Sequence, residues 1–232
     1  MAYCLNIVNT PVSRLIGAAL ISSSLNTNIV DVDNYKTHPS HKHNVNYVNS
    51  DSFDSTSIVV ERNNIYIYGE ITPESCEALK NKLIDLDFNG KLFKLSYNSD
   101  PPPINIHVQS GGGSLMNAFY IVDLIRSISS EVNTYVDGYS ASAASLINIV
   151  GSKRYMTKNS MMLIHQLSSG REGKYGELKD DTSNLDMMMK KIRNIYIENS
   201  NISPDKLDEI LARDIWLDAE TCLKYGFIDE II

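Results

Sequence analysis

A serine, a histidine and an aspartate each stand where they could serve acyl chemistry, and a run of glycines stands at a fourth place. Ser142 closes the stretch Gly138-Tyr139-Ser140-Ala141-Ser142, between the apolar segments 132–136 and 143–150. That pattern reads as a buried strand, a small-residue turn and a buried helix. A serine on such a turn is placed as a nucleophile, and Gly138 and Ala141 leave room for a substrate backbone to come close. Plain packing or a helix N-cap is the simpler reading of the same residues. A serine hydroxyl is a poor nucleophile at neutral pH unless a base takes its proton and a third group orients that base. His165 follows the apolar strand pattern Met161-Met162-Leu163-Ile164 and opens a polar loop, so it is a candidate base or a satisfied strand-end histidine. Asp214, just before Ile215-Trp216-Leu217, is the candidate orienting group or a surface charge, with Asp218 next in line. The alternating strand Ile104-Asn105-Ile106-His107-Val108 runs into Gln109-Ser110-Gly111-Gly112-Gly113-Ser114, and Leu115, Phe119, Val122 and Ile125 then recur at helical spacing. Strand, glycine turn and helix start make an anion site. The run lacks the Gly-Lys-Ser/Thr ending of a phosphate loop.

These residues need a frame, and the pattern from Ile58 onward supplies one. Ile65 to Gly69 reads as a strand, and Thr72-Pro73 opens a helix with a cap and a first-turn proline. Residues 90–103, ending in three consecutive prolines, read as an inserted loop ahead of the strand at 104. Leu178, Leu185, Met188, Met189, Ile192 and Ile195 recur at helical spacing over 176–197. Ser203-Pro204-Asp205 starts another helix, and Asp218 caps the last one. Repeated strand–helix units imply a layered α/β fold.

With 232 residues, 43% of them hydrophobic and 21% charged, the chain can bury one large core or two small ones. Its formal charge of -7 argues against a nucleic-acid binder, which needs a basic face. Cys4, Cys76 and Cys222 are odd in number and lack metal-ligand spacing, so free thiols in a reducing compartment are the expectation. No apolar run reaches transmembrane length. Residues 1–57 read as a flexible N-terminal extension, rich in Asn, Ser, His and Thr from Ser22 onward. It is a candidate propeptide or targeting segment, although Arg14 is the lone base before residue 31. His38, His41 and His43 lack an acidic or thiol partner and read as part of a solvated linker.

The chain order Ser142, His165, Asp214 differs from those of α/β-hydrolases and of the two familiar serine protease folds, and there is no G-x-S-x-G elbow. Over 58–232 the sequence resembles the Clp protease proteolytic subunits, serine peptidases with a crotonase-like spiral of β-β-α units and a protruding strand–helix handle. Gly138 to Ser142 matches that family's G-x-x-A-S turn, and Ile164-His165-Gln166 its I-H-Q. Arg213-Asp214 with Trp216-Leu217 matches its R-D motif, and Tyr225-Gly226-Phe227-Ile228-Asp229 its closing segment. Ser145 also follows an alanine but has no glycine four residues before it. The sequence departs from the pattern in Gly111 and Leu167, which replace prolines, and in Ile215, which replaces an arginine that links opposite rings.

The resemblance implies an ATP-dependent serine endopeptidase subunit that hydrolyses unfolded polypeptides inside a ring-shaped chamber. Ser142 would be the nucleophile, His165 the base and Asp214 its orienting acid, with oxyanion donors on Gly113 and Ala143. It also implies heptameric rings stacked as a tetradecamer, and a hexameric AAA+ unfoldase that spends the ATP, so no cofactor is expected on this chain. An extended substrate would add as a strand between the Gly113 segment and a strand near 170–173. Neither nucleic acid nor membrane is an expected partner, and the expected location is cytoplasmic, or organellar if the extension is a transit segment. The alternatives are a non-catalytic structural ring subunit and a crotonase-fold acyl-CoA enzyme, the latter using carboxylates in place of a Ser–His pair.

Overall fold

The computed structural model describes residues 29–31, 44–47 and 57–232. The chain divides into two compact units, 1–47 and 48–232. In the first, β1 (Ile29–Asp31) pairs antiparallel with β2 (Asn44–Tyr47). The rest of the proposed extension, with Cys4 and the three histidines, lies outside the described residues.

The second unit is built on one sheet. β3 (Ser57–Glu61) is antiparallel to β4 (Asn64–Tyr68), and β4, β5 (Ile104–Ser110) and β6 (Val132–Ala141) then run parallel. Helices α1 (Pro73–Tyr97) and α2 (Leu115–Ser127) make the two crossovers. The long β6 serves two partners: its first half pairs with β7 (Arg154–Met156) and its last three residues with β8 (Met161–Leu163), both parallel. β9 (Trp216–Asp218) lies antiparallel on β8, and β10 (Glu230–Ile231) parallel on β7. After β6 come α3 (Ala143–Ile149), α4 (Tyr175–Glu198), α5 (Pro204–Leu211) and α6 (Ala219–Tyr225). This is the layered α/β architecture that the strand–helix repetition predicts.

Two adjoining apolar cores line one face of the sheet. One joins Ile65, Ile67, Ile104 and Ile106 to Leu79 and Leu83 of α1 and Ile121 of α2. The other joins Met156 and Met162 to Ile192 and Tyr196 of α4, Leu207 of α5 and Phe227. All seven residues of α3 are buried, and its side chains enter both cores. Burying Leu146, Ile147 and Ile149 stabilises that placement by about 1.5–3 kcal/mol each. The turn ahead of α3 is therefore fixed from two sides.

On the sheet's other face, Tyr66, His107, Tyr135 and Tyr155 stack ring on ring across β4 to β7, with centroids 4.3–4.7 Å apart. Arg154 ties the end of the chain down. Its guanidinium donates to Asp229 Oδ1 and Oδ2 at 2.5 and 2.9 Å, to Gly226 O at 2.8 Å and to Asn199 O. These bonds hold the Asp229 carboxyl below the usual range.

Two expectations need correction. Residues 90–97 are helical, not looped, because α1 runs on to Tyr97 and stops at Asn98, whose left-handed backbone caps it ahead of Pro101. Gly90 is buried where an added Cβ would lie 2.8 Å from Ser130 Oγ, so glycine there marks close packing within the helix and not its end. Nor does a strand form at 170–173: residues 164–174 pair with no strand among the described residues. An extended segment becomes a strand only beside an edge to bond to, and the polar stretch Ser168 to Lys174 pairs with none among the described residues.

Candidate active site

Ser142 and His165 lie just past the C-terminal ends of neighbouring parallel strands, β6 and β8. This is the rim where parallel α/β sheets place their sites. A register shift between Val108 and Ser110 of β5 kinks this end of β6 where Gly138 takes φ +87°, and Ser142 follows with φ +54° and ψ -126°. A non-glycine residue held there costs on the order of 1–3 kcal/mol. The Ser142 N–H donates to Leu163 O at 2.9 Å, and its C=O accepts from Ser145 N–H at 3.0 Å. Its own hydroxyl makes no cap bond to α3. The hydroxyl is left for other work.

The register of β8 and β9 brings in the aspartate. Leu163 lies opposite Trp216 in an antiparallel pair, so the residue two beyond the first faces the residue two before the second: His165 meets Asp214. The observed separation is 3.5 Å from Nδ1 to Oδ1, longer than a formed N–H···O bond, with the Asp214 side chain 81% exposed. Gln166 N–H donates to Leu211 O at 2.7 Å, which anchors the histidine loop to the end of α5. Asp218 is already engaged, accepting from Thr221 N–H at 2.8 Å as the cap of α6, and hydrogen bonds from the Thr221 side chain and backbone hold its carboxyl low.

The glycine turn completes the arrangement. Ile71 N–H donates to Gly112 O and Ser114 N–H to Ile71 O, each at 2.7 Å, so the turn runs as a short parallel bridge beside Ile71. Gly112 N–H donates to Ser110 Oγ at 3.1 Å. These bonds fasten a turn that carries Gly111 where the resembled family has proline. Gly112 (φ +98°) backs directly onto the serine turn: an added Cβ would stand 2.7 Å from Ala141 O and from Ser142 Cβ. Gly112→Ala should therefore lower stability by about 2 kcal/mol, a fall of roughly 5 °C in Tm by thermal melt, and should displace Ser142 as well. A variant melting and working like the wild type would contradict the contact.

Gly113, Ser142, Ala143 and His165 line one cleft of about 90 Å³, walled by Leu115, Leu146, Leu167 and Ile192 and reached by Tyr196. The geometry thus brings the serine, the histidine and both backbone candidates together, with the aspartate behind the histidine. Among the described residues the two cysteines are buried thiols: burial raises Cys76 and pushes Cys222 up to about 12. His107 also meets a carboxylate, Asp137, at 2.7 Å, but its ring is clamped between Tyr66 and Tyr135. Among the described residues, no group of three His, Cys, Asp or Glu could hold a metal ion, and no helix is long and apolar enough to cross a membrane.

Sequence reasoning passed over two residues here, Ser145 as anything but a rejected nucleophile and Tyr196 altogether. Ser145 lies one helical turn from Ser142, and Tyr196 is a hydroxyl-bearing side chain beside the apolar stripe of α4. That spacing was the available signal.

The chain is similar to proteins of one known family. The family model described as Clp protease matches residues 48–232. The ATP-dependent Clp protease proteolytic subunit of Streptococcus mutans is 30% identical over 185 residues, 78% of this chain and 90% of that protein. Proteolytic subunit 2 of Treponema denticola is 34% identical over 169 residues, 72% of this chain and 80% of that one. The solved structure of a ClpP1 mutant from Listeria monocytogenes superposes with a TM-score of 0.64 at 26% identity, covering 73% of this chain and 91% of that chain.

Proposed function

The chain belongs to the Clp protease family, and from that premise we propose that it is the proteolytic subunit of an ATP-dependent Clp-type serine peptidase, with Ser142, His165 and Asp214 as its triad. Ser142 Oγ attacks the scissile carbonyl carbon while His165 Nε2 takes the hydroxyl proton. The carbonyl oxygen becomes an oxyanion held by the N–H groups of Gly113 and Ala143. Collapse breaks the C–N bond, and His165 returns its proton to the departing amine. Water, deprotonated by the same imidazole, then attacks the acyl-serine and releases the carboxylate product. Asp214 orients the imidazole and stabilises its cation. Each oxyanion donor contributes about 2.7–4 kcal/mol to lowering the barrier.

The observation that carries this reading is the shared cleft of Ser142, His165, Gly113 and Ala143, with Asp214 behind His165. The same observation favours a working peptidase over a structural ring subunit, and a Ser–His pair over the carboxylates of an acyl-CoA enzyme. The His165–Asp214 gap and the exposure of Asp214 fit a site that tightens on assembly. We take the assembly to be a homo-oligomer of two seven-membered rings fed by an AAA+ unfoldase. Along α4, Tyr175 (83% exposed), Leu178 (39%) and Met187 (56%) are the apolar contacts that a facing ring would cover.

Peptide assays test this directly. The assembled chain should hydrolyse a short fluorogenic peptide without nucleotide, and should degrade a stably folded protein only when an ATP-driven unfoldase is added. Failure to cleave the short peptide would end the reading.

A further inference from the structure

The serine turn carries a second hydroxyl and a phenol that the proposed reaction does not use. Ser145 is fully buried, and its Oγ lies 2.6 Å from Ser142 O and 2.7 Å from Tyr196 Oη. A backbone carbonyl only accepts, so the Ser145 hydroxyl spends its one proton on Ser142 O, and Tyr196 must donate to Ser145 Oγ. The order is Tyr196 O–H to Ser145 O–H to the C=O of Ser142. Tyr196 belongs to α4 and is 1% exposed, wedged edge-on to Phe227 with ring centroids 6.1 Å apart. Burial raises its phenol well above the usual value, which keeps it a donor at any working pH.

The carbonyl this chain grips is one side of a rigid plate. The peptide joining Ser142 to Ala143 is planar and trans, so its C=O and the N–H of Ala143 point in opposite directions. Pinning the oxygen inward on Ser145 aims that N–H outward. As the first helical residue, Ala143 has no acceptor for its N–H inside α3. The positive φ of Ser142 makes the plate one that needs holding.

We propose that Ser145 and Tyr196 are positioning residues for the oxyanion hole: they fix the Ser142–Ala143 peptide so that the Ala143 N–H meets the developing oxyanion, and they make that aim depend on where α4 sits. This rests on the peptidase reading above and goes beyond it, since neither residue touches the substrate's reacting atoms. Both hydroxyls act through one carbonyl, so their effects are not additive.

The test is peptide hydrolysis by the full-length assembled chain, expressed per active site titrated with a fluorophosphonate. Ser145→Ala should lower kcat about 10-fold with KM nearly unchanged, because an oxyanion donor is felt in the transition state and little in the ground state. Tyr196→Phe, which keeps the ring and its packing, should lower kcat about 3-fold. The double variant should be no slower than Ser145→Ala alone. A peptide boronate, which mimics the tetrahedral adduct, should lose affinity in step with kcat/KM while product-peptide inhibition stays constant. A purely structural role would lower Tm without this split. Wild-type kcat in both single variants, with an active wild type, overturns this inference and leaves the peptidase reading standing. An inactive wild type removes both.

Discussion

Ser142→Ala is expected to lower peptide hydrolysis by about six orders of magnitude, the loss that follows when a serine peptidase is deprived of its nucleophile. The effect should be chemical and not structural. The Ser142 hydroxyl makes no cap bond, and the contacts that hold residue 142 are backbone bonds to Leu163 and Ser145 that alanine retains. The circular dichroism melt and the native mass of the variant should therefore match the wild type. Substantial residual hydrolysis in a folded, assembled variant would shift the nucleophile's role away from residue 142.

Asp214→Asn should lower turnover by about four orders of magnitude, because an amide beside Nδ1 favours the wrong imidazole tautomer and leaves the cation unsupported. The separation of 3.5 Å and the exposure of Asp214 make this the more demanding of the two tests. An exposed carboxylate at that distance contributes little to the isolated fold, so the melt should hardly move. Turnover should fall all the same, because the pair has to close in the working assembly. Unchanged kcat would leave the orienting role open, and Asp218 is poorly placed to fill it while it caps α6.

Much of the site was legible in the sequence because local pattern and local structure agree there. The alternation at 104–108, the glycine turn and the apolar helix after it required a strand, a bend and a crossover, and they form. Residues 132–150 required a buried strand, a small-residue turn and a buried helix, which is where Ser142 stands. The meeting of His165 with Asp214 was not visible in that way. It depends on the pairing of β8 with β9, two three-residue strands more than fifty positions apart, and motif resemblance supplied what periodicity had no means to give.

The misreadings have physical causes as well. Gly90 and the three prolines look like a loop, but a buried glycine also suits close packing inside a helix, and the prolines act only after Asn98 has ended it. A strand at 170–173 needs an edge to pair with, and among the described residues that segment pairs with none. The aromatic row from Tyr66 to Tyr155 joins single residues of four strands, so no one segment announces it. The Tyr196–Ser145 bond escapes for the same reason, its ends lying 51 positions apart.

The central claim is that the hydroxyl at 142 is the group His165 activates. Treating the assembled chain with a fluorophosphonate and locating the adduct by peptide mass spectrometry tests it most directly. A single adduct on Ser142, with hydrolysis lost in proportion to its occupancy, is the predicted result. An adduct on another serine with Ser142 unmodified, or hydrolysis that survives full labelling of Ser142, would contradict it.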